Sequence, residues 1–285
     1  MDTQLELVHF QITRNCNLRC WFCGQWGHTG FFRGAQGDEM ELADWKSVAA
    51  DLVPGQTDII LWGGEPLVSP LFDVLTDHLA KRGFSLGMVT NGTLLAAHMA
   101  RVREKFRVVY ISLDGPRDIH DAIRGQGVFD TVVQQIECLR GGNAKIIINT
   151  VVSDQLLPRL PEFLRFLEDL QPDSVNLQQM IPYDDDCPPM VEALHLPPCK
   201  IPIRCIKHGD GAHCGSPWRH AHVTWNGAVT FCTDYYDYSI GNVRQHSLKT
   251  LWKNEKANAF RQLVQQGGRP ECTHCSWRTN EKYKF

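Results

Sequence analysis

Cys16, Cys20 and Cys23 stand within eight residues, spaced by three and then two, directly after the apolar run of residues 5–12. This stretch organises the chain, because a strand-like segment must end where three thiols gather. Three protein thiolates can hold three irons of a cubane [4Fe–4S] cluster and leave the fourth iron without a protein ligand, whereas electron-transfer clusters usually have four cysteine ligands. An open metal position is what a reactive site needs, as in catalytic zinc sites that keep one coordination place free. The competing readings are a zinc knuckle or buried thiols. Three cysteines so close together are too dense for chance burial.

Composition narrows the class. The chain has 285 residues, 43% hydrophobic and 21% charged, which suits a globular protein with a sizeable core. A formal net charge of −3 gives no electrostatic case for nucleic acid or an anionic membrane surface. No apolar run approaches the roughly 20 residues that span a bilayer, and residues 1–9 lack the basic start of a signal peptide. Eleven cysteines without a secretion signal point to metal or redox use in a reducing cytoplasm.

Apolar runs predict strands over residues 6–13, 58–62, 85–90, 107–113, 145–152 and 174–180. Helices are expected between them, over 41–52, 70–82, 94–105, 128–140 and 158–170, with Gly83 and Gly141 as stop signals. Val128, Val132, Ile136 and Leu139 recur at helical spacing, and Cys138 beside them is read as core packing. Alternation of this kind implies a parallel sheet with right-handed crossovers, and in closed barrels the chemistry collects at the C-terminal strand ends.

Each strand end carries a motif. The first leads into the three cysteines and a glycine-rich loop, 24–30, in which His28 is a polar candidate. The second ends in Gly63-Gly64-Glu65-Pro66 and the third in Thr90-Asn91-Gly92. The fourth ends in Ser112-Leu113-Asp114-Gly115, with His120-Asp121-Ala122-Ile123-Arg124-Gly125 following. A C-x3-C-x-aromatic-C pattern after a first strand, with Phe22 as the aromatic residue, resembles the radical S-adenosylmethionine (SAM) superfamily; the later motifs resemble its SPASM/twitch branch. The resemblance implies a partial (β/α)6 barrel in an α/β fold. It also implies a [4Fe–4S] cluster on Cys16, Cys20 and Cys23 whose open iron is chelated by SAM. One electron then cleaves SAM to methionine and a 5′-deoxyadenosyl radical, which takes hydrogen from an unactivated C–H bond.

By the same resemblance, Gly63, Gly64, Glu65 and Pro66 receive the methionyl ammonium, Ser112 contacts the ribose and Arg124 the carboxylate. A guanidinium suits that last task because its fork can bond both oxygens. Asn91 belongs to the third station, Phe22 packs on the adenine, and the last strand near Gln179 lends backbone to it. Asp114 either orients substrate or caps the turn.

From residue 182 to 217 the composition changes, with seven of the fifteen prolines. This reads as an irregular linker. The expected domains are a barrel over 1–182, a linker over 183–213 and a second module over 214–285. In that module two β-prone runs, 221–225 and 228–231, are joined by Asn226-Gly227, a strong hairpin signal. A short helix is expected near 248–253. Cys214, Cys232, Cys272 and Cys275 resemble the shortened twitch element and imply one auxiliary [4Fe–4S] cluster with no open iron. A four-cysteine zinc site has the same ligand count, and Cys199 or Cys205 in place of one ligand is a further alternative.

A fully ligated second cluster suits electron transfer. The expected reaction is dehydrogenation of a sugar-like or aminocyclitol-like intermediate, with Asp234 as candidate base. Inversion at carbon is the variant, with Cys187, Cys199 or Cys205 returning hydrogen from a loop. Modification of a ribosomally made peptide is the alternative. The first strand begins within about ten residues of the start, leaving no room for a leader-binding domain, which favours a small molecule. A non-catalytic iron–sulfur or zinc protein would leave the later motifs unexplained. Expected partners are the substrate and a flavodoxin- or ferredoxin-type electron donor, without nucleic acid or membrane.

Overall fold

The structure is a computed structural model that describes residues 4–27, 30, 37–180, 196–206, 214–233, 236–270 and 272. His28, Cys187, Asp234 and Cys275 lie outside the described residues. The chain opens with β1 (Leu7–Gln11), α1 (Leu42–Ala50), β2 (Asp58–Trp62), α2 (Phe72–Lys81) and β3 (Leu86–Thr90). It continues with α3 (Leu95–Lys105), β4 (Val108–Ser112), α4 (Arg117–Arg124), α5 (Val128–Leu139), β5 (Lys145–Val152), α6 (Leu160–Leu170), β6 (Ser174–Gln179) and β7 (Ile203–Ile206). The last part holds α7 (Ser216–Arg219), β8 (His220–Val223), β9 (Ala228–Thr230), β10 (Gly241–Asn242), α8 (Leu248–Lys253) and α9 (Glu255–Gln265). No helix among the described residues is long and apolar enough to cross a membrane.

The chain forms two compact units. The first comprises residues 1–16, 36–88 and 208–285; the second comprises 17–35 and 89–207. In the first unit the strand order is β10-β9-β8-β1-β2-β3. There β8, β1, β2 and β3 run parallel, β9 returns antiparallel to β8, and β10 is antiparallel to β9. β1 is buried along its whole length, as expected of a strand covered on both faces. Phe10 sends its ring against Trp45 of α1, 4.9 Å between centroids, so Val8 and Phe10 face the helix layer. His9 and Gln11 take the other face.

In the second unit the order is β4-β5-β6-β7, all parallel. The helical spacing of Val128, Val132, Ile136 and Leu139 gives the buried side of α5, as expected. Cys138 is exposed rather than packed, because it falls one position short of that side. Leu160, Phe163, Leu164, Leu167 and Leu170 make the same stripe on α6.

Further features depart from the sequence expectation. Residues 203–206, inside the proline-rich stretch, form β7 and pair with β6; the run Ile-Arg-Cys-Ile has the alternation of a strand but is hidden among prolines. The segment after Pro116 is helical as α4. The hairpin turns through three residues rather than two. Gly227 N–H donates to Thr224 O (2.9 Å) and Thr224 N–H to Ala228 O (2.9 Å), with Gly227 at φ +88°. A three-residue loop with glycine in the left-handed region closes the strands this way.

Candidate functional site

In the first unit the chain leaving β1 is clasped by one carboxylate. Glu39 Oε1 accepts from Thr13 Oγ1 (2.8 Å), from Arg14 N–H (2.8 Å) and, more loosely, from Asn15 Nδ2 (3.4 Å). Asn15 N–H in turn donates to Thr13 Oγ1 (3.0 Å). From the other side, Gly64 N–H donates to Thr13 O (2.9 Å) and Glu65 N–H to Asn15 O (2.8 Å). Thus the three residues before Cys16 are held from both flanks. A Cβ on Gly63 would stand 2.3 Å from Thr13 O, and one on Gly64 would stand 2.3 Å from Asn15 O. Both glycines are therefore required by the approach of this chain to itself. Glu65 is buried, and its Oε1 accepts from Leu67 N–H (3.2 Å), capping the 3-10 turn Pro66–Val68. Glu39 was not foreseen, and no local spacing marks it.

In the second unit Asn17, the residue after Cys16, is tied to the turn over residues 91–93. Asn91 Nδ2 donates to Asn17 Oδ1 (2.9 Å), and Asn17 Nδ2 donates to Thr93 Oγ1 (2.9 Å). Thr93 N–H closes the turn on Asn91 Oδ1 (3.0 Å). Cys20 and Cys23 belong to one turn, with Cys23 N–H donating to Cys20 O (3.1 Å) and Gly27 N–H to Cys23 O (2.7 Å). A Cβ on Gly27 would meet Trp21 O at 2.4 Å and Cys23 O at 2.6 Å, so the loop closes tightly on the cysteine backbone.

A buried ion pair stands beside these thiols. Arg124 Nε donates to Asp114 Oδ2 at 2.5 Å, and the Asp114 side chain has no exposure. Asp114 Oδ1 accepts from Val151 N–H (3.0 Å), which locks the carboxylate. The Arg124 guanidinium lies 5.9 Å from the centre of the Phe22 ring. Burial pushes Arg124 toward losing its proton, but Asp114, Cys20 and Cys23 outweigh it and leave its pKa raised. Burial raises the Cys20 thiol, and the Arg124 charge opposes that shift. The guanidinium thus favours a thiolate here.

His120 Nδ1 accepts from Asp114 N–H (3.1 Å), which fixes it as a neutral imidazole, and burial lowers its pKa to about 4. Asp121 accepts from Phe129 N–H (2.8 Å) and Gly127 N–H (2.9 Å), building the start of α5. The His120–Asp121 part of the motif holds the backbone while Arg124 carries the charge.

Ser112 pairs across β5 with Asn149, and Asn149 with Asn176 of β6, whose Nδ2 donates to Asn149 Oδ1 (2.8 Å). Arg204 continues this row on β7. Cys205 points to the opposite face, in register with Leu177. Gln179 shares that face at the end of β6, in register with Val152.

Of the auxiliary cysteines, Cys214, Cys232 and Cys272 are described and none is disulfide-bonded. Ser216 Oγ donates to Phe231 O (2.8 Å), drawing the chain after Cys214 to the residue before Cys232. Cys272 Sγ accepts from Arg269 N–H (3.3 Å). Among the described residues no three His, Cys, Asp or Glu side chains converge as a preformed metal site. The donor set fits iron–sulfur binding by its chemistry, being thiols in closely spaced turns with a cation beside two of them.

A family model described as the radical SAM superfamily matches residues 10–167, and one for an iron–sulfur cluster-binding domain, SPASM, matches residues 214–276. The chain belongs to the radical SAM superfamily. Membership implies a [4Fe–4S] cluster and SAM as cofactors, and the SPASM match implies auxiliary iron–sulfur binding. The tungsten-containing aldehyde ferredoxin oxidoreductase cofactor-modifying protein of Pyrococcus furiosus is 27% identical, over 96% of this chain and 88% of that protein. Among solved structures, native anSMEcpe with bound AdoMet and Cp18Cys peptide superposes with a TM-score of 0.71 at 19% identity, over 96% of this chain and 86% of that one. BtrN in complex with AdoMet and 2-DOIA gives 0.63 at 18% identity, over 99% and 98%. These two likenesses show the fold, α/β with a parallel sheet; the C-terminal SPASM module rests on the family match.

Proposed function

We propose that this radical SAM enzyme dehydrogenates a sugar-like or aminocyclitol-like small molecule. Cys16, Cys20 and Cys23 would hold the SAM-binding cluster, and Cys214, Cys232, Cys272 and Cys275 the auxiliary one. When bound, the first cluster supplies the electron for reductive SAM cleavage and the second an acceptor for the electron left on the substrate. The observation that carries the reading is the Cys20–Cys23 turn with the buried Arg124–Asp114 pair beside it and Phe22 alongside.

Each residue group has a task. Glu39, Gly63 and Gly64 fix the chain entering Cys16, and Asn17 and Asn91 fix the chain leaving it. Arg124 keeps a positive charge at the thiols, and its remaining donors suit the SAM carboxylate. Asp114 holds that guanidinium in one orientation, and Ser112 presents a hydroxyl on the polar row of Asn149 and Asn176. Gly63, Gly64, Glu65 and Pro66 are assigned to the methionyl ammonium, and Phe22 and the Gln179 backbone to the adenine. Cys205 has no task here, because its register sets it on the face away from that row.

The reading is tested with the reconstituted protein under a strong reductant. Wild type should form 5′-deoxyadenosine from SAM, and Cys16→Ala should form none; persistence in the variant would contradict the assigned ligands. With substrate in heavy water, a carbonyl product supports dehydrogenation, whereas solvent deuterium at the product carbon supports inversion. A second reading, modification of a ribosomally made peptide, draws support from the peptide bound in anSMEcpe. A mass change on a peptide substrate with no small-molecule turnover would favour it.

A further inference from the structure

The face of the first unit's sheet that looks away from α1 carries buried polar atoms with no protein partner. Gln11 on β1 is fully buried, and neither its Oε1 nor its Nε2 makes a hydrogen bond. His222 on β8 is 1% exposed, and its Nε2 is likewise unmatched, as is the buried Nε1 of Trp62 on β2. Register puts all three on one side: Gln11 pairs with Trp62, and His9, two residues before Gln11, pairs with His222. The alternation of a strand then sends Gln11, Trp62 and His222 opposite to Phe10 and its contact with Trp45. The rings converge, with the His222 and Trp62 centroids 4.8 Å apart and Tyr236 5.1 Å from His222.

Orphaned buried polar atoms are costly, and native proteins retain few of them. Four such atoms on three neighbouring strands need an explanation. The donor and acceptor pattern supplies one. His222 Nδ1 lies 3.3 Å from Cys232 O, a carbonyl that can only accept, so the proton sits on Nδ1 and Nε2 offers a lone pair. Trp62 Nε1 can only donate, and the Gln11 amide does both. From His9 onward this face carries His9, Gln11, Ile60, Trp62, His222 and Thr224, none with a formal charge. Burial lowers His9 well below its ordinary value.

We infer that Gln11, Trp62 and His222 form a substrate subsite for an uncharged group that both donates and accepts hydrogen bonds, a hydroxyl pair or a carboxamide. This rests on the proposed radical SAM reading and deepens it by naming the chemistry the substrate presents. Among the described residues of this face from His9 onward, a carboxylate would find no cation and an ammonium no anion, each at a large desolvation cost.

The test uses the full-length, reconstituted protein with three probes: myo-inositol, N-acetylglycinamide and glucuronate. At least one neutral probe should bind by calorimetry, with glucuronate at least tenfold weaker. Preference for the polyol identifies the hydroxyl source, and preference for the amide a peptide-like one. Gln11→Leu should weaken the preferred probe at least tenfold and raise the ligand-free Tm by about 2 °C, since it removes unmatched polar atoms from a site built for binding. Gln11→Met is the closer isostere should the leucine variant not fold. Binding of neither neutral probe, equal binding of glucuronate, or a lowered Tm with binding retained overturns the subsite; the last outcome would mark Gln11 as a structural residue holding water. Formation of 5′-deoxyadenosine by wild type, assayed separately, tells failure of the subsite from failure of the radical SAM reading.

Discussion

Asp114 joins three parts of the second unit's site. One oxygen takes Arg124, the other takes the Val151 amide, and its own amide goes to His120. Removing one member of a buried pair leaves the other charge uncompensated, at a cost of about 3–5 kcal/mol. Asp114→Ala should therefore lower unfolding free energy by about that amount in a urea titration, whereas Asp118→Ala, an exposed partner of Arg159, should change it by under about 1 kcal/mol. Equal effects would place the energy elsewhere. The local motif gave Asp114 and Arg124 as separate candidates six to ten residues from the nearest partner; only their shared burial makes them a pair.

At the scale of elements, the strand ends are held by backbone approach as much as by side chains. The Gly64 Cα stands so close to Asn15 O and Arg14 O that any side chain must push the end of β1 away. Gly64→Ala should reduce bound iron in the reconstituted protein and cost about 1–3 kcal/mol in stability; iron analysis with a thermal melt checks both. Normal iron content would show that the segment before Cys16 can shift without consequence. Most elements were legible from sequence. β2, β5 and α8 have the expected bounds, because their apolar periods are uninterrupted. β7 and α9 escaped notice, the first hidden among prolines and the second because its buried residues, Ala257, Phe260 and Arg261, include a charged one. Arg261 is buried by stacking over Phe231 and Trp252, a partnership no local window contains.

At the scale of the molecule, several histidines are buried in neutral form. His120 and His220 are lowered to about 4 and His222 to about 3, all chiefly by burial. Each pKa is depressed below its unfolded value near 6.5, so the unfolded chain binds more protons between the two values. Stability is then fully present above about pH 6.5 and falls as pH drops toward 4. Thermal melts from pH 7.5 to 4.5 should show Tm flat at first and then declining below 6.5. A Tm unchanged down to pH 4.5 would mean these imidazoles are solvated.

The sequence by itself determined the alternation of strands and helices, the motif at each strand end and the family to which they belong. These follow from spacings a few residues long, which local sterics and hydrophobic periodicity translate directly into structure. Only the tertiary structure decided that Glu39 clasps the approach to Cys16, that β8 lies parallel to β1, and that Gln11, Trp62 and His222 share one buried face. Such matches depend on register between strands up to about two hundred residues apart, where a shift of one position turns every side chain to the other side.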